Sequence, residues 1–443
     1  MPSACFAPEE RTIPHMIVAD HLARTIVDHR SYGDWDTAHR AYAEIRRSTP
    51  LGRAELDDYD PFWIVSKFDD IQLVERQPAI FRNGDMPVTL LNRTQHRGIR
   101  ERSGGKPYRI RSLVQMDSPD HMKYRLLTQN WFMPQRLRDL QPRIRQIAKS
   151  FVDRLMDIGP ECDFARDIAF LYPLRVIMEV MGVPEEDEAR MLRLTQELFG
   201  SNDPELSRSA NAASAAPLSP EDHTAAIDET IQDFFSYFTA IIEDRRAAPR
   251  NDLASVIANG SVGGAPIGHL EAISYYIIAA TAGHDTTSAS TASGAWVLAE
   301  RPDLLRELKK DASLIDGFVD EVIRWETPVK HFMRSAATDT EIGGQAIGAG
   351  DWLMLCYMSG NRDEDRYDAP FEFDVRRPDN KHVAFGYGPH VCLGQHLARM
   401  EMRILWEELL PRLETLELTG SPRRMISNFV SGPKTLPIRF SAS

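Results

Sequence analysis

Cysteine is scarce, with four among 443 residues (Cys5, Cys162, Cys356 and Cys392), widely spaced and without a C-x-x-C pair. That excludes a disulfide scaffold and an iron–sulfur cluster, and it points to a reduced, cytoplasmic setting. Long apolar runs are also missing. The longest, residues 272–283, is too short for a bilayer and is interrupted by Ser274 and Thr281. The stretch up to Asp20 carries Pro2, Pro8, Glu9, Glu10, Arg11 and Pro14, so it reads as neither signal peptide nor membrane anchor. Basic excess is lacking as well. The 52 Lys and Arg against 65 Asp and Glu leave a net charge of −13, a poor basis for nucleic-acid binding. No Gly-x-Gly-x-x-Gly fingerprint, internal repeat or Ser/Gly-rich linker occurs.

What remains is an ordinary globular mix, 42% hydrophobic and 26% charged. Its length is about three times the ~150-residue norm for one domain. Apolar residues recur at three- and four-residue spacing over 37–48, 121–131, 136–158, 185–199, 225–246, 267–300, 301–310, 314–325 and 395–413, predicting helices. Strand signals are fewer: 62–66, the 340–350 stretch around Gly343-Gly344, 352–358, and a closing hairpin region over 425–440. The expected fold is mainly α with a small, mostly antiparallel β part. Residues 1–36 read as an N-terminal extension and 37–443 as one catalytic domain, with long loops at 82–111 and 201–220.

The most informative stretch is Phe385-Gly-Tyr-Gly-Pro-His390-Val-Cys392-Leu-Gly394-Gln-His-Leu-Ala398. Gly386, Gly388 and Gly394 allow turns and close approach around one cysteine just before a helix. Backbone N–H groups and a helix N-terminus aimed at sulfur favour a thiolate, as an axial heme ligand requires. A zinc site from His382, His390, Cys392 and His396 is the competing reading. The two-residue step from His390 to Cys392 fits zinc poorly, so spacing favours a single-sulfur site without deciding it.

This stretch resembles the heme-binding signature of the cytochrome P450 family, Phe-Gly-x-Gly-x-His-x-Cys-x-Gly-x-x-Leu-Ala, at every fixed position. The resemblance runs from about residue 37 to 440 and is to the soluble bacterial members. It implies the cytochrome P450 fold, a helical prism with heme b (iron protoporphyrin IX) between a long central helix and the helix after the Cys loop. It makes Cys392 the proximal iron ligand. Three further motifs follow in the family's order. Glu321-Val-Ile-Arg324 resembles the structural Glu-x-x-Arg ion pair, with Arg376 or Arg377 as its third member. Ala282-Gly-His-Asp285-Thr286-Thr resembles the oxygen-binding groove, which implies that Thr286 supplies its hydroxyl and Asp285 relays protons from solvent. Asp117-Ser-Pro-Asp-His121-Met-Lys-Tyr-Arg125 resembles the helix that binds heme propionates. His121, Arg125, Arg334 and His390 make up that implied set.

On this resemblance the chain is a monooxygenase using O2. Ile278, Ala282, Val329, Phe429 and Val430 are the expected apolar pocket residues, suited to a substrate of monoterpene or alkylbenzene size. Steroid or fatty-acid substrates and a non-catalytic heme sensor are the alternatives, and the Asp285–Thr286 pair speaks against the last. No reductase domain is present, so electrons are expected from a 2Fe–2S ferredoxin with its ferredoxin reductase. Lys123, Arg136, Arg138, Arg399 and Arg403 are candidates for its landing patch. A monomer is expected, with segments 83–111 and 201–224 shaping the pocket.

Overall fold

The computed structural model describes residues 16–208 and 220–442. Its body is helical. The helix Gln395–Leu409 packs along Pro134–Ile158 and against Ile315–Glu326, because each presents an apolar stripe to the others. Trp406 lies fully buried at that junction, edge-on to Phe318 at 5.4 Å. It fits because Gly294 faces it; a Cβ there would sit 2.9 Å from the indole. Burying a ring of this size contributes roughly 1.5–3 kcal/mol.

The largest sheet has five strands in the order Leu51–Ala54, Phe62–Val65, Trp352–Cys356, His331–Ala336, Phe81–Arg82. All pairings are antiparallel except Phe62–Val65 with Trp352–Cys356, which run parallel. Both of these strands are buried along their whole length, so each reads as a continuous apolar run rather than an alternation. Thr340–Ile342 and Gln345–Ile347 form the hairpin expected around Gly343-Gly344, whose φ of +54° and +78° make the tight turn.

Four expectations are corrected. Residues 20–36 are no detached extension: the helix Asp20–Val27 buries Leu22, Ala23, Ile26 and Val27, and Asn428 Nδ2 donates to the Val27 carbonyl. Residues 1–15 of that segment lie outside the described residues. The stretch 82–111 is no free loop. It contains the helix Arg93–Arg102, started by a reciprocal Asn92–Gln95 capping box. The main-chain N–H groups of Asn83 and Gly84 donate to Asp117 at 2.8 and 2.9 Å, and that of Leu90 to His331 Nε2 at 3.0 Å. In the other expected loop, Asp203 is fully buried and accepts from Lys434 and from the Ile426 N–H, tying that segment to the C-terminal part. Residues 209–219 of it lie outside the described residues. Finally, the helix expected over 267–300 is two segments, His269–Ala282 and Asp285–Glu300, separated at Gly283-His284.

Candidate active site

The Cys loop turns through Gly386 and Gly388, at φ +67° and +65°. These are left-handed values that only glycine adopts freely. A Cβ on Gly388 would also meet the Glu75 carbonyl oxygen at 2.3 Å. The turns bring the Cys392 N–H to the Phe385 carbonyl at 2.8 Å and place the residue two positions before Gly394, N-cap of the following helix. Cys392 has exposed surface, yet dense protein on its other sides pushes its thiol pKa up. The Gly394 N–H, Arg125, Arg399 and the Gln395 N–H act in the opposite direction. A sulfur held among such donors is suited to bind as thiolate once a metal replaces its proton.

Four basic side chains lie near the loop. His121 and His390 stack at 3.8 Å between ring centroids, and the Arg125 and Arg334 charges act on both rings. Burial and that crowding push His121 down to about 4 and His390 to about 2. His121 Nε2 is buried without a hydrogen-bond partner. Arg125 is half-buried with no ion-pair partner among the described residues, and burial lowers its pKa. Among the described residues the one carboxylate paired with them is Glu75, 3.2 Å from Arg334. A bound group carrying carboxylates would satisfy these donors, so the residues present fit a heme with its propionates.

The break between the two groove helices gives Thr286 its place. Its hydroxyl donates to the Ala282 carbonyl at 2.9 Å, the oxygen that an unbroken helix would offer to the Thr286 N–H. Ala282 is exposed and Thr286 half-buried, whereas most of either helix is buried. Asp285 is buried; its Oδ2 makes no hydrogen bond and has His284 Nδ1 3.3 Å away. Gly283 is the notch that lets Ile177 pack, since a Cβ would lie 3.0 Å from two of its carbons.

Of the expected pocket residues, Ile278, Val329 and Phe429 are half-buried and Val430 is buried. Val329 and Val430 form an antiparallel bridge, and Phe429 meets Phe332 and Phe199 edge-on or tilted. Ile278 lies one turn before Ala282 on the groove helix. The Glu321–Arg324 pair is fully buried, with Nε and Nη2 each 2.7 Å from a carboxylate oxygen. Arg377 is the third member, at 3.3 Å from Glu321, while Arg376 reaches outward to Glu307. Of the expected landing patch, Arg399 pairs with Asp320 and Arg403 with Glu407, so both charges are locally answered. Lys123 reaches Asp120 at 3.4 Å, Arg136 stacks on Trp131, and Arg138 bonds Gln135.

Two contributors carry no sequence motif. Glu75 accepts from the Tyr357 hydroxyl at 2.7 Å beneath the Cys loop, and burial pushes its carboxyl up to about 7. His331 donates from Nδ1 to the Asn428 carbonyl and accepts the Leu90 N–H, joining three pocket segments; burial pushes it down to about 4. Their partners are remote in sequence, so no local spacing announces them.

A glycine-cradled cysteine together with a broken helix carrying an acid–alcohol pair defines a class, and comparison with known proteins gives it a family. The Cytochrome P450 family model matches residues 85–440. Cytochrome P450-terp of a Pseudomonas species is 44% identical over 96% of this chain and 98% of its own. Linalool 8-monooxygenase of Pseudomonas putida is 32% identical over 90% and 95%. The crystal structure of CYP108D1 from Novosphingobium aromaticivorans superposes with a TM-score of 0.88 at 43% identity, covering 97% of this chain and all of that one. Cytochrome P450 CYP268A2 of Mycobacterium marinum, in complex with pseudoionone, gives 0.83 at 29% identity, covering 99% of this chain and all of that one. The chain belongs to the cytochrome P450 family. It is an oxidoreductase of that family's monooxygenase class, and among the described residues no helix is long and apolar enough to cross a membrane.

Proposed function

We propose that this protein hydroxylates a small hydrophobic substrate, a monoterpene such as terpineol or an alkylbenzene such as p-cymene, with heme b held by Cys392. The observation that carries the reading is Cys392 on its glycine-cradled loop, with four basic groups nearby and one carboxylate to answer them. His121, Arg125, Arg334 and His390 hold the propionates. The heme-thiolate supplies O2 activation and insertion of one oxygen atom into a C–H bond. Thr286 and Asp285 deliver protons from the helix break, Thr286 through the hydroxyl now given to Ala282 and Asp285 through its buried carboxylate. Ile278, Ala282, Val329 and Phe429 exclude water and orient an apolar substrate, with Val430 supporting them. The names of relatives favour terpenoid chemistry: one acts on linalool, a monoterpene alcohol, and one structure holds pseudoionone. Electrons come from a 2Fe–2S ferredoxin and its reductase in the cytoplasm.

Two measurements test this. The reduced carbonyl complex is expected to show the red-shifted Soret band of thiolate ligation, and a band typical of histidine ligation refutes Cys392. Titration with p-cymene or α-terpineol is expected to shift the heme from low to high spin, with little response to long-chain acids. The reverse preference overturns the substrate assignment.

A further inference from the structure

Three phenylalanines from separate parts of the chain stand in a row. Phe199 ends the helix Glu188–Phe199, Phe332 lies on the strand His331–Ala336, and Phe429 comes from the C-terminal region between them. Phe429 meets Phe332 edge-on at 5.4 Å between ring centroids and Phe199 at 6.1 Å, tilted by 48°. Each of the three is only half-buried. Their surroundings are not: Phe332 alone of its strand escapes burial, and Phe429 sits between buried Asn428 and Val430. Alternation along the strand puts Phe332 on the same face as Arg334. Both meet the Tyr357–Glu75 pair, Phe332 at 6.3 Å from the tyrosine ring and Arg334 at 3.2 Å from the carboxylate. The Arg334 charge acts on His121 and His390, so the row stands on the heme side of the strand.

The rings are held in place before any ligand arrives. The Phe429 carbonyl accepts the Lys330 N–H at 2.8 Å, and its own N–H donates to Ser427 Oγ at 3.2 Å. The Val329–Val430 bridge flanks it, and His331, itself bonded to Asn428 and Leu90, backs the ring at 5.7 Å. A ligand therefore spends little free energy ordering them. Aliphatic neighbours such as Ile278 and Val329 treat a benzene ring and a cyclohexane ring alike. Aromatic neighbours do not, because the positive edge of one ring is attracted to the negative face of another, and a saturated ring has neither.

We propose that Phe332, Phe429 and Phe199 are specificity-determining residues, a wall that selects an aromatic ring in the substrate over a saturated ring of the same shape. This rests on the reading of Val329 and Phe429 as pocket residues for a small hydrophobic substrate, and it points within that class to alkylbenzenes. The test uses the holoenzyme and two ligands with one carbon skeleton, p-cymene and its saturated analogue p-menthane. Affinity for p-cymene is read from the spin shift and that for p-menthane by competition with it. Transfer from water differs between the two ligands but is the same for every variant, so it cancels when their affinity ratio is compared between proteins. Phe332→Leu and Phe429→Leu are each expected to lower the p-cymene preference roughly two- to twelvefold, the worth of one ring pair, while p-menthane binding changes little. The thiolate carbonyl band and heme content check folding, and two separate substitutions keep the test alive if one of them loses heme. An unchanged ratio in both, or equal weakening of both ligands, overturns the wall and leaves the substrate class standing. A wild-type enzyme that binds neither ligand but responds to long-chain acids or steroids removes the substrate reading and the wall with it.

Discussion

Replacing Glu321 by alanine removes the anion from a deeply buried charge cluster. Its two oxygens accept from Arg324 Nε and Nη2 at 2.7 Å, the Asp374 N–H at 2.9 Å, Asn380 at 3.1 Å and Arg377 at 3.3 Å. Arg324 is fully buried and the Arg377 side chain is 6% exposed, so neither guanidinium can turn to water. Stranding a buried cation in this way costs about 3–5 kcal/mol. The unpaired Asp374 N–H adds roughly 1–3 kcal/mol. Against a total stability of roughly 5–15 kcal/mol, the loss is about a quarter or more. Arg324 Nη1 also holds the carbonyls of Asn361 and Pro370, on the chain leading to the Cys loop, so heme retention suffers with folding. Urea unfolding followed by circular dichroism, with heme content per chain, reads both. A Glu321→Ala protein with full heme and a stability within ~1 kcal/mol of wild type refutes the reasoning. The double change Glu321→Leu with Arg324→Met is expected to be milder, because it leaves no lone charge from the pair behind.

Removing the Thr286 hydroxyl frees the Ala282 carbonyl and costs only ~0.5–1.5 kcal/mol. Thr286→Ala is therefore expected to fold and to keep the substrate spin shift while forming more peroxide per NAD(P)H, and unchanged coupling removes the role of Thr286. Glu75 makes stability depend on pH. Its folded carboxyl titrates near 7, above the ordinary 4.5, so the folded state holds the proton longer and stability falls as pH rises across that window. Glu75→Gln is expected to flatten this part of the profile, and a slope as steep as wild type removes burial of Glu75 as its cause.

The site was more legible than the frame around it. Cys392, Gly386 and Gly388 sit within one short stretch, and positive φ at fixed spacing leaves a mark in sequence. The helix Arg93–Arg102 escaped because periodicity reads apolar faces and this helix buries only His96; its Asn92–Gln95 box was the available signal. The helix Asp20–Val27 shows Leu22, Ala23, Ile26 and Val27 at helical spacing, but at eight residues it is short for a periodic signal. Apolar periodicity runs unbroken through 267–300, so it cannot report that the backbone parts at Gly283-His284. The choice between Arg376 and Arg377 depends on which side chain turns inward, and that is set by Glu321, more than fifty positions upstream.

The parallel pairing of Phe62–Val65 with Trp352–Cys356 carries a cost in time during biosynthesis. A ribosome adding about 5–20 residues per second needs roughly 15–60 s to travel from one strand to the other. Throughout that interval the early strand, apolar on both faces, has only Leu51–Ala54 to shield one edge. A chaperone acting on the nascent chain would find its natural client there.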